Sequence, residues 1–302
     1  MLGLTVTVLA LAGGMDADRD SLNDLLEQQL LLKFAPSFRI SRNDCDQQPA
    51  SFANITSATR DGTIYGQVFP VPNGMIEVHY YHLWTRDCGR FSHPLDAEHV
   101  SALLKPVDGD WKAVYWYAAA HEDTVCDAGN GAKALSLVAT ERGPDVWISH
   151  GKHASYLSER LCRRGCGGDR CEEMTALIPS KIVNLGEPGA PLNGANWTGS
   201  RAWSFSAKMG SDFTGPLMAQ LDGTRITDGV VSLTTPLVAM QSVILAGGAT
   251  ADGLATGNRH TGAALNTAER QTDKALAVSY KSVDNSLRKA HRATKGWLGR
   301  MW

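Results

Sequence analysis

Between residues 34 and 149, apolar and polar positions alternate in short runs cut by Gly, Pro, Asn and Asp, the period-two texture of β-structure. The runs predict strands over 34–40, 63–69, 75–85, 96–104, 112–120, 134–140 and 145–149, with hairpin turns at Pro72-Asn73-Gly74 and Asp108-Gly109-Asp110. Upstream, the acidic Asp16, Asp18 and Asp20 precede Leu22, Leu25, Leu26, Leu30 and Leu31. Their spacing predicts a short amphipathic helix within 15–33. Residues 162–200, rich in Gly, Cys, Pro and Asn, read as a long disulfide-tied loop region leading to a late strand near 201–206. Beyond Met209 the alternation is lost, and 261–295 reads as a long helix with a seam of small residues through Leu265, Ala268, Thr272, Ala275, Ser279, Val283, Leu287 and Ala290. The expected architecture is a mainly β sandwich with flanking helices plus a C-terminal α-helical region, α+β overall. Its expected divisions are 1–12, 13–208 and 209–302.

Charge narrows the partners. The 302 residues carry 29 Lys and Arg against 31 Asp and Glu, so there is no general field for polyanions, and nucleic acid is not an expected partner. Leu2 to Ala12 form an apolar run, too short to span a bilayer, that ends in Ala10-Leu11-Ala12. It reads as a trimmed export signal, with an ordinary buried strand as the alternative. Six cysteines, at 45, 88, 126, 162, 166 and 171, agree with an oxidising compartment and a secreted or extracytoplasmic protein. Their pairing stays open; Cys45 with Cys88 would brace the loop that carries Asp87, and a zinc site on Cys162, Cys166 and Cys171 is the competing reading. The basic tail from Arg288 to Trp302 suits either peripheral membrane contact or a solvated helix end, and the small-residue seam suits either packing onto the sandwich or homo-oligomer assembly.

The chemistry is concentrated in Asp87 to His99. Pro94 restrains the backbone ahead of Asp96 and Glu98, which share one face of an extended segment, while His99 takes the other. Asp87, His93, Asp96 and Glu98 form an oxygen-rich donor set suited to Mg²⁺ or Ca²⁺, with Mn²⁺ also compatible. A plain polar turn paired with Arg86 and Arg90 is the bland alternative. Val100, Ala102 and Leu104 continue the acid-bearing face inward, so the cation is expected at a sandwich rim. His121 and His153 also stand at predicted strand ends.

Ser92-His93-Pro94-Leu95-Asp96-Ala97-Glu98-His99 resembles the heptapeptide of the necrosis- and ethylene-inducing-peptide-like proteins, Gly-His-Arg-His-Asp-Trp-Glu, followed by His. Upstream, Tyr80-Tyr81-His82-Leu83-Trp84-Thr85-Arg86-Asp87 is similar to that family's aromatic strand, which ends in an acidic ligand. The resemblance implies a divalent cation on Asp87, His93, Asp96 and Glu98. Ser92, Leu95 and Ala97 depart from the family's Gly, second His and Trp, and Leu95 and Ala97 bear on its toxin activity more than on cation binding. A second resemblance, to the vacuolar-protein-sorting-62-like family, covers Asp96-Ala97-Glu98-His99-Val100, then Val114 to His121, then Gly151-Lys152-His153-Ala154-Ser155-Tyr156.

Three functions follow as expectations. The first is a necrosis-inducing-protein-like binder that recognises a glycan or lipid head group through its rim cation. The second is a metal-dependent hydrolase in which His99, His121 or His153 moves the proton. The third is an interaction protein assembled through its C-terminal helices.

Overall fold

The computed structural model describes residues 15–88, 92–121, 129–165, 169–200 and 203–233. Expectations for residues 1–12, and for the seam and basic tail beyond 233, lie outside the described residues. In chain order the elements begin with α1 (Asp24–Lys33), β1 (Ser37–Ser41), β2 (Ala50–Asn54), β3 (Ser57–Arg60), β4 (Thr63–Val71) and β5 (Met75–Asp87). They continue with β6 (His93–Val107), β7 (Asp110–Ala118), β8 (Gly129–Lys133), β9 (Asp145–Ile148), β10 (Ser155–Tyr156) and α2 (Glu159–Cys162). The last are β11 (Met174–Leu177), β12 (Lys181–Asn184), β13 (Gly186–Glu187), β14 (Ala190–Pro191), α3 (Gly215–Gly223) and β15 (Val231–Leu233).

Seven strands make one sheet in the order β12-β4-β5-β6-β7-β8-β15, and four make a second in the order β10-β9-β1-β11. At the centre of the large sheet is an antiparallel meander, β4 to β7, whose first and third turns fall at Pro72-Asn73-Gly74 and at Asp108-Gly109, as the sequence predicts. The small sheet packs across one face of it. Ile76, Val78, Tyr80 and Trp84 of β5 and Val100, Ala102 and Leu104 of β6 meet Phe38 and Ile40 of β1, Val146 and Ile148 of β9, and Leu31 and Phe34 from α1. Apolar burial of this kind stabilises by roughly 25 cal/mol per Å² removed from water. The result is a sandwich, mainly β, with helices at its flank.

The opposite face of the large sheet is covered as well. Tyr81, Leu83 and Ala97 pack against Trp203, Phe205 and Met209, and farther along Leu103, Tyr115 and Tyr117 pack against Phe213, Leu217 and Leu221 of α3. Buried on both sides, β5 reads as a nearly unbroken apolar and aromatic run instead of a strict alternation.

The short helix expected within 15–33 forms as Asp24–Lys33, capped by Asn23, which accepts from the Leu25 N–H at 3.0 Å. Other local expectations are corrected. Residues 134–140 alternate like a strand, yet Ala134–Leu137 is a 3₁₀ turn that ends on Val138 at φ 53°, and Trp116 Nε1 donates to the Ala139 carbonyl at 2.9 Å. The strand forms just upstream instead, over Gly129–Lys133. A Cβ on Gly131 would lie 2.6 Å from a Leu233 methyl and 2.9 Å from one of Leu221, so the composition that suggests a turn is what lets β15 and α3 close over β8. The late strand expected near 201–206 is a 3₁₀ segment, Ser204–Lys208.

Disulfides join Cys45 to Cys88 and Cys162 to Cys171. The second removes both of its cysteines as thiolate ligands, which overturns the zinc reading. The first fixes residue 88, directly after β5, to the loop after β1 across a sequence separation of 43. Replacing Cys45 and Cys88 together by Ala is expected to cost about 2–4 kcal/mol of unfolding free energy, measured by urea denaturation under oxidising conditions.

Candidate functional site

The polar end of the sandwich is built on the β5–β6 hairpin. Register pairs His82 with Glu98 and Trp84 with Asp96, so these side chains continue the inner face of the large sheet beyond its apolar part, and it pairs Asp87 with His93 at the end of the hairpin. Opposite them, the turn after β9 carries Lys152 and His153. Its shape is fixed from both directions. Ser149 and Ala154 are bonded through their backbones, Gly151 N–H donates to Asp44 Oδ2 at 2.9 Å, and Cys88 N–H donates to the Gly151 carbonyl at 2.8 Å. Gly151 and His153 take φ of 72° and 54° there.

His153 is fully buried and stacks on the indole of Trp84, with ring centroids 4.0 Å apart and planes within 9°. Its Nδ1 donates to Asp96 Oδ2 at 2.9 Å, and its Nε2 stands 3.4 Å from Asp44 Oδ1. Burial alone would lower its pKa, but the two carboxylates outweigh burial and raise it to about 9. Asp44 and Asp96 are both held below the usual carboxylate range: burial pushes them up and His153 more than reverses it. His82, one layer deeper, has the opposite fate. Burial first, and the neighbouring His153 charge second, lower it to about 3. Its Nδ1 accepts from Trp84 Nε1 at 2.8 Å, which leaves Nε2–H to donate to Ser155 Oγ at 2.8 Å.

Nearer the hairpin tip, Asp87 accepts from Lys152 Nζ at 2.5 Å and lies 3.4 Å from His93 Nε2. Asp87 is buried, while the His93 side chain is 52 % exposed. Glu98, also buried, stands 3.7 Å from Lys208 Nζ, which donates to the Ala97 carbonyl at 2.5 Å. The hairpin thus holds the four residues as two pairs, Asp87 with His93 at the tip and, one step deeper, Asp96 with Glu98 on the inner face. Among the described residues they do not draw three ligand atoms within 4.8 Å of one another. Asp44, Cys45, Cys88 and His153 do meet that distance, but both sulfurs are tied in the disulfide and the imidazole is held between two carboxylates. Three carboxylates and one accessible imidazole fit a hard divalent cation in donor type.

The histidines do not converge on this rim. His153 alone bonds one of its acids. His99 points through the sheet to the other face, where Nε2 lies 3.0 Å from Asp212 Oδ2 and the ring stacks on His79 at 5.8 Å. His79 in turn bonds Glu77 Oε2 at 3.0 Å. His121 donates to Asp169 Oδ2 at 2.6 Å, and Tyr156 also donates to Asp169. Sequence reasoning missed Asp44, Lys152 and Lys208. Asp44 had one available signal, its place beside a cysteine whose partner follows Asp87.

A buried sandwich rim with paired acids and a disulfide at its margin is the class of site the fold defines. No protein-family description matches the chain, and no curated protein does. Among solved structures, the chain is similar to NLPPya in complex with glucosamine, at 13% identity over 67% of this chain and 86% of that one, with a TM-score of 0.37. It is also similar to NLPPya in complex with mannosamine, at 13% identity over 67% and 87%, with a TM-score of 0.34. Necrosis and Ethylene inducing Protein 2 from the causal agent of cocoa's Witches Broom disease matches at 14% identity over 57% and 80%, with a TM-score of 0.33. The similar solved structures are therefore necrosis- and ethylene-inducing proteins.

Because His153 gains its partners on folding, the stability it contributes is complete below its unfolded pKa near 6.5 and is lost as pH rises through about 9. In chelator-treated protein, unfolding free energy is expected to fall by on the order of 3 kcal/mol between pH 6 and pH 10. His153→Gln should flatten that part of the pH profile in urea titrations.

Proposed function

We propose that this protein binds a divalent cation at the sandwich rim through Asp87, His93, Asp96 and Glu98, and through that cation the hydroxyls of a glycan head group. The observation that carries the reading is the burial of Asp87, Asp96 and Glu98 at the end of the β5–β6 hairpin beside an accessible imidazole. Anionic oxygens withdrawn from water need positive charge nearby. Lys152, His153 and Lys208 supply part of it, and a hard cation with exchangeable waters would supply more while offering positions that sugar hydroxyls can take. The cation would be held by the protein and exchange only its water ligands, so no covalent chemistry is required.

Binding is favoured over hydrolysis by the company each histidine keeps. A general base needs hydrogen-bond reach to a bound water. His99 and His121 are engaged with Asp212 and Asp169 instead, and His153 is buried as a cation between Asp44 and Asp96. The disulfides support an oxidising, extracellular setting for such a binder.

Glu98→Gln and Asp96→Ala are each expected to lower Mg²⁺ or Ca²⁺ affinity by roughly tenfold or more and to abolish cation-dependent retention on immobilised amino sugars. Calorimetry and a glycan-binding assay, run with and without chelator, check this. Unchanged sugar binding by a variant that holds no rim cation would defeat the reading. Glu98→Gln is the milder of the two, since it leaves the Asp96 partner of His153 in place.

A further inference from the structure

A second constellation of acids lies away from the rim, at the start of the described chain. Asp16, Asp18, Asp20, Asp24 and Glu27 stand at the first, third, fifth, ninth and twelfth places of a run that closes in the first turn of α1. That is the ligand spacing of a twelve-residue calcium loop, in which the sixth place makes a sharp turn and the seventh offers a backbone carbonyl. Ser21 fills the sixth place and adopts φ 81°, the left-handed conformation that glycine usually supplies. Leu22 fills the seventh.

The backbone curls around the acids. Ala17 N–H donates to Asp24 Oδ1 at 3.0 Å, Ser21 N–H to Asp16 Oδ2 at 3.2 Å and Leu22 N–H to Asp20 Oδ1 at 2.7 Å. Their remaining oxygens come together in two overlapping groups, Asp16, Asp18 and Asp24, and Asp18, Asp20 and Glu27, each with ligand atoms within 4.8 Å of one another.

Spacing and clustering alone would describe many solvated acidic loops. What sets this one apart is burial without donors. Asp18 is 6 % exposed, and neither of its carboxylate oxygens has a hydrogen-bond partner among the described residues. Glu27 is 0 % exposed; its Oε2 accepts from Asn184 Nδ2 at 2.9 Å, while its Oε1 has no partner. From the β13 side, Glu187 turns a further unpartnered buried oxygen toward the same region. Left to themselves, these groups resist ionisation. Burial first, and Asp20 next, raise Asp18 to about 6, and burial with the neighbouring Asp18 raises Glu27 to about 8.

We propose that Asp16, Asp18, Asp20, Asp24 and Glu27 bind one calcium ion, a structural site separate from the rim, which fastens the segment ahead of α1 to the β12–β13 corner. An all-protein, carboxylate-rich cage of this kind matches calcium, which takes six to eight oxygens in flexible geometry, better than magnesium, which keeps its waters and demands an octahedron. Asn184, at the end of β12, holds Glu27 from behind, so filling the site couples the loop to the edge of the large sheet.

The test uses the full chain, stripped with chelator and titrated with CaCl₂ by calorimetry and by thermal unfolding. The wild-type protein and Glu98→Gln, which leaves the His153–Asp96 contact in place, are both expected to bind calcium at this loop and to unfold at higher temperature with it. Glu27→Gln and Asp16→Asn are each expected to weaken that binding on the order of tenfold or more. Their calcium-free unfolding temperatures should stay level or rise, because each removes repulsion. The half-buried Asp16 serves as the control should Glu27→Gln fold poorly. Calcium isotherms and stability shifts in both loop variants equal to those of the wild type would overturn the proposal, as would the absence of any calcium-dependent shift in Glu98→Gln. Since Glu98→Gln acts at the rim and leaves the His153–Asp96 contact in place, loss there with retention at the loop separates failure of one site from failure of the other.

Discussion

The imidazole of His153, stacked on Trp84 and held between Asp44 and Asp96, joins three stretches of chain where the two sheets meet at the rim. Carboxylates this deep are costly unless matched by positive charge, and breaking such a pair strands the remaining ion. The nearby details serve that contact. The Cys45–Cys88 disulfide brings Asp44 alongside the hairpin, the bonds from Gly151 to Asp44 and from Cys88 to Gly151 set the turn that presents His153, and His82 stays neutral so that no second positive charge crowds it. The arrangement gives the rim a rigid floor, on which the more accessible His93 and Lys152 stand beside the buried Asp87.

The protein handles buried negative charge in more than one way. At the rim, lysines and an imidazolium stand against the acids. On the far face of the large sheet, His79, His99 and Ser101 converge on Asp212 and Glu77 beneath the 203–213 segment. At the loop before α1 the described residues provide no basic partner, and an ion from solution is the remaining source of charge. The two proposed cation sites therefore differ in kind, since one is a rim where a cation would share its acids with protein cations and the other is a cage that depends on it.

Much of the sheet could be read from sequence because β4 to β7 are apolar and aromatic runs bounded by turn residues, with Pro-Asn-Gly between β4 and β5 and Asp-Gly between β6 and β7. The face shared by Asp96, Glu98, Val100, Ala102 and Leu104 followed from strand parity and is the face that packs on the small sheet. What was not legible depended on distant packing. Gly129–Lys133 forms a strand because β15 and α3 need the space at Gly131, and 134–140 does not because Trp116 anchors Ala139. At the site, parity separated His99 from the acids, but nothing local announced that Asp44 or Lys208, far away in sequence, would meet them. The acids ahead of α1 were visible as a run, while their burial beneath Asn184 and Glu187 was not.

The two faces of β6 carry opposite demands. Its inward acids, Asp96 and Glu98, meet His153 and Lys208, whereas its outward His99 and Ser101 meet the carboxylate of Asp212. A slip of one residue along β5 would turn every side chain of the strand to the other face. Asp96 and Glu98 would then confront Asp212 and Glu77, and His99 would be driven toward His153. Hydrophobic residues line both sides of this sheet and discriminate weakly between such alignments, so it is the charges that specify the register, and the acids of the rim keep the strand in place whatever else they bind.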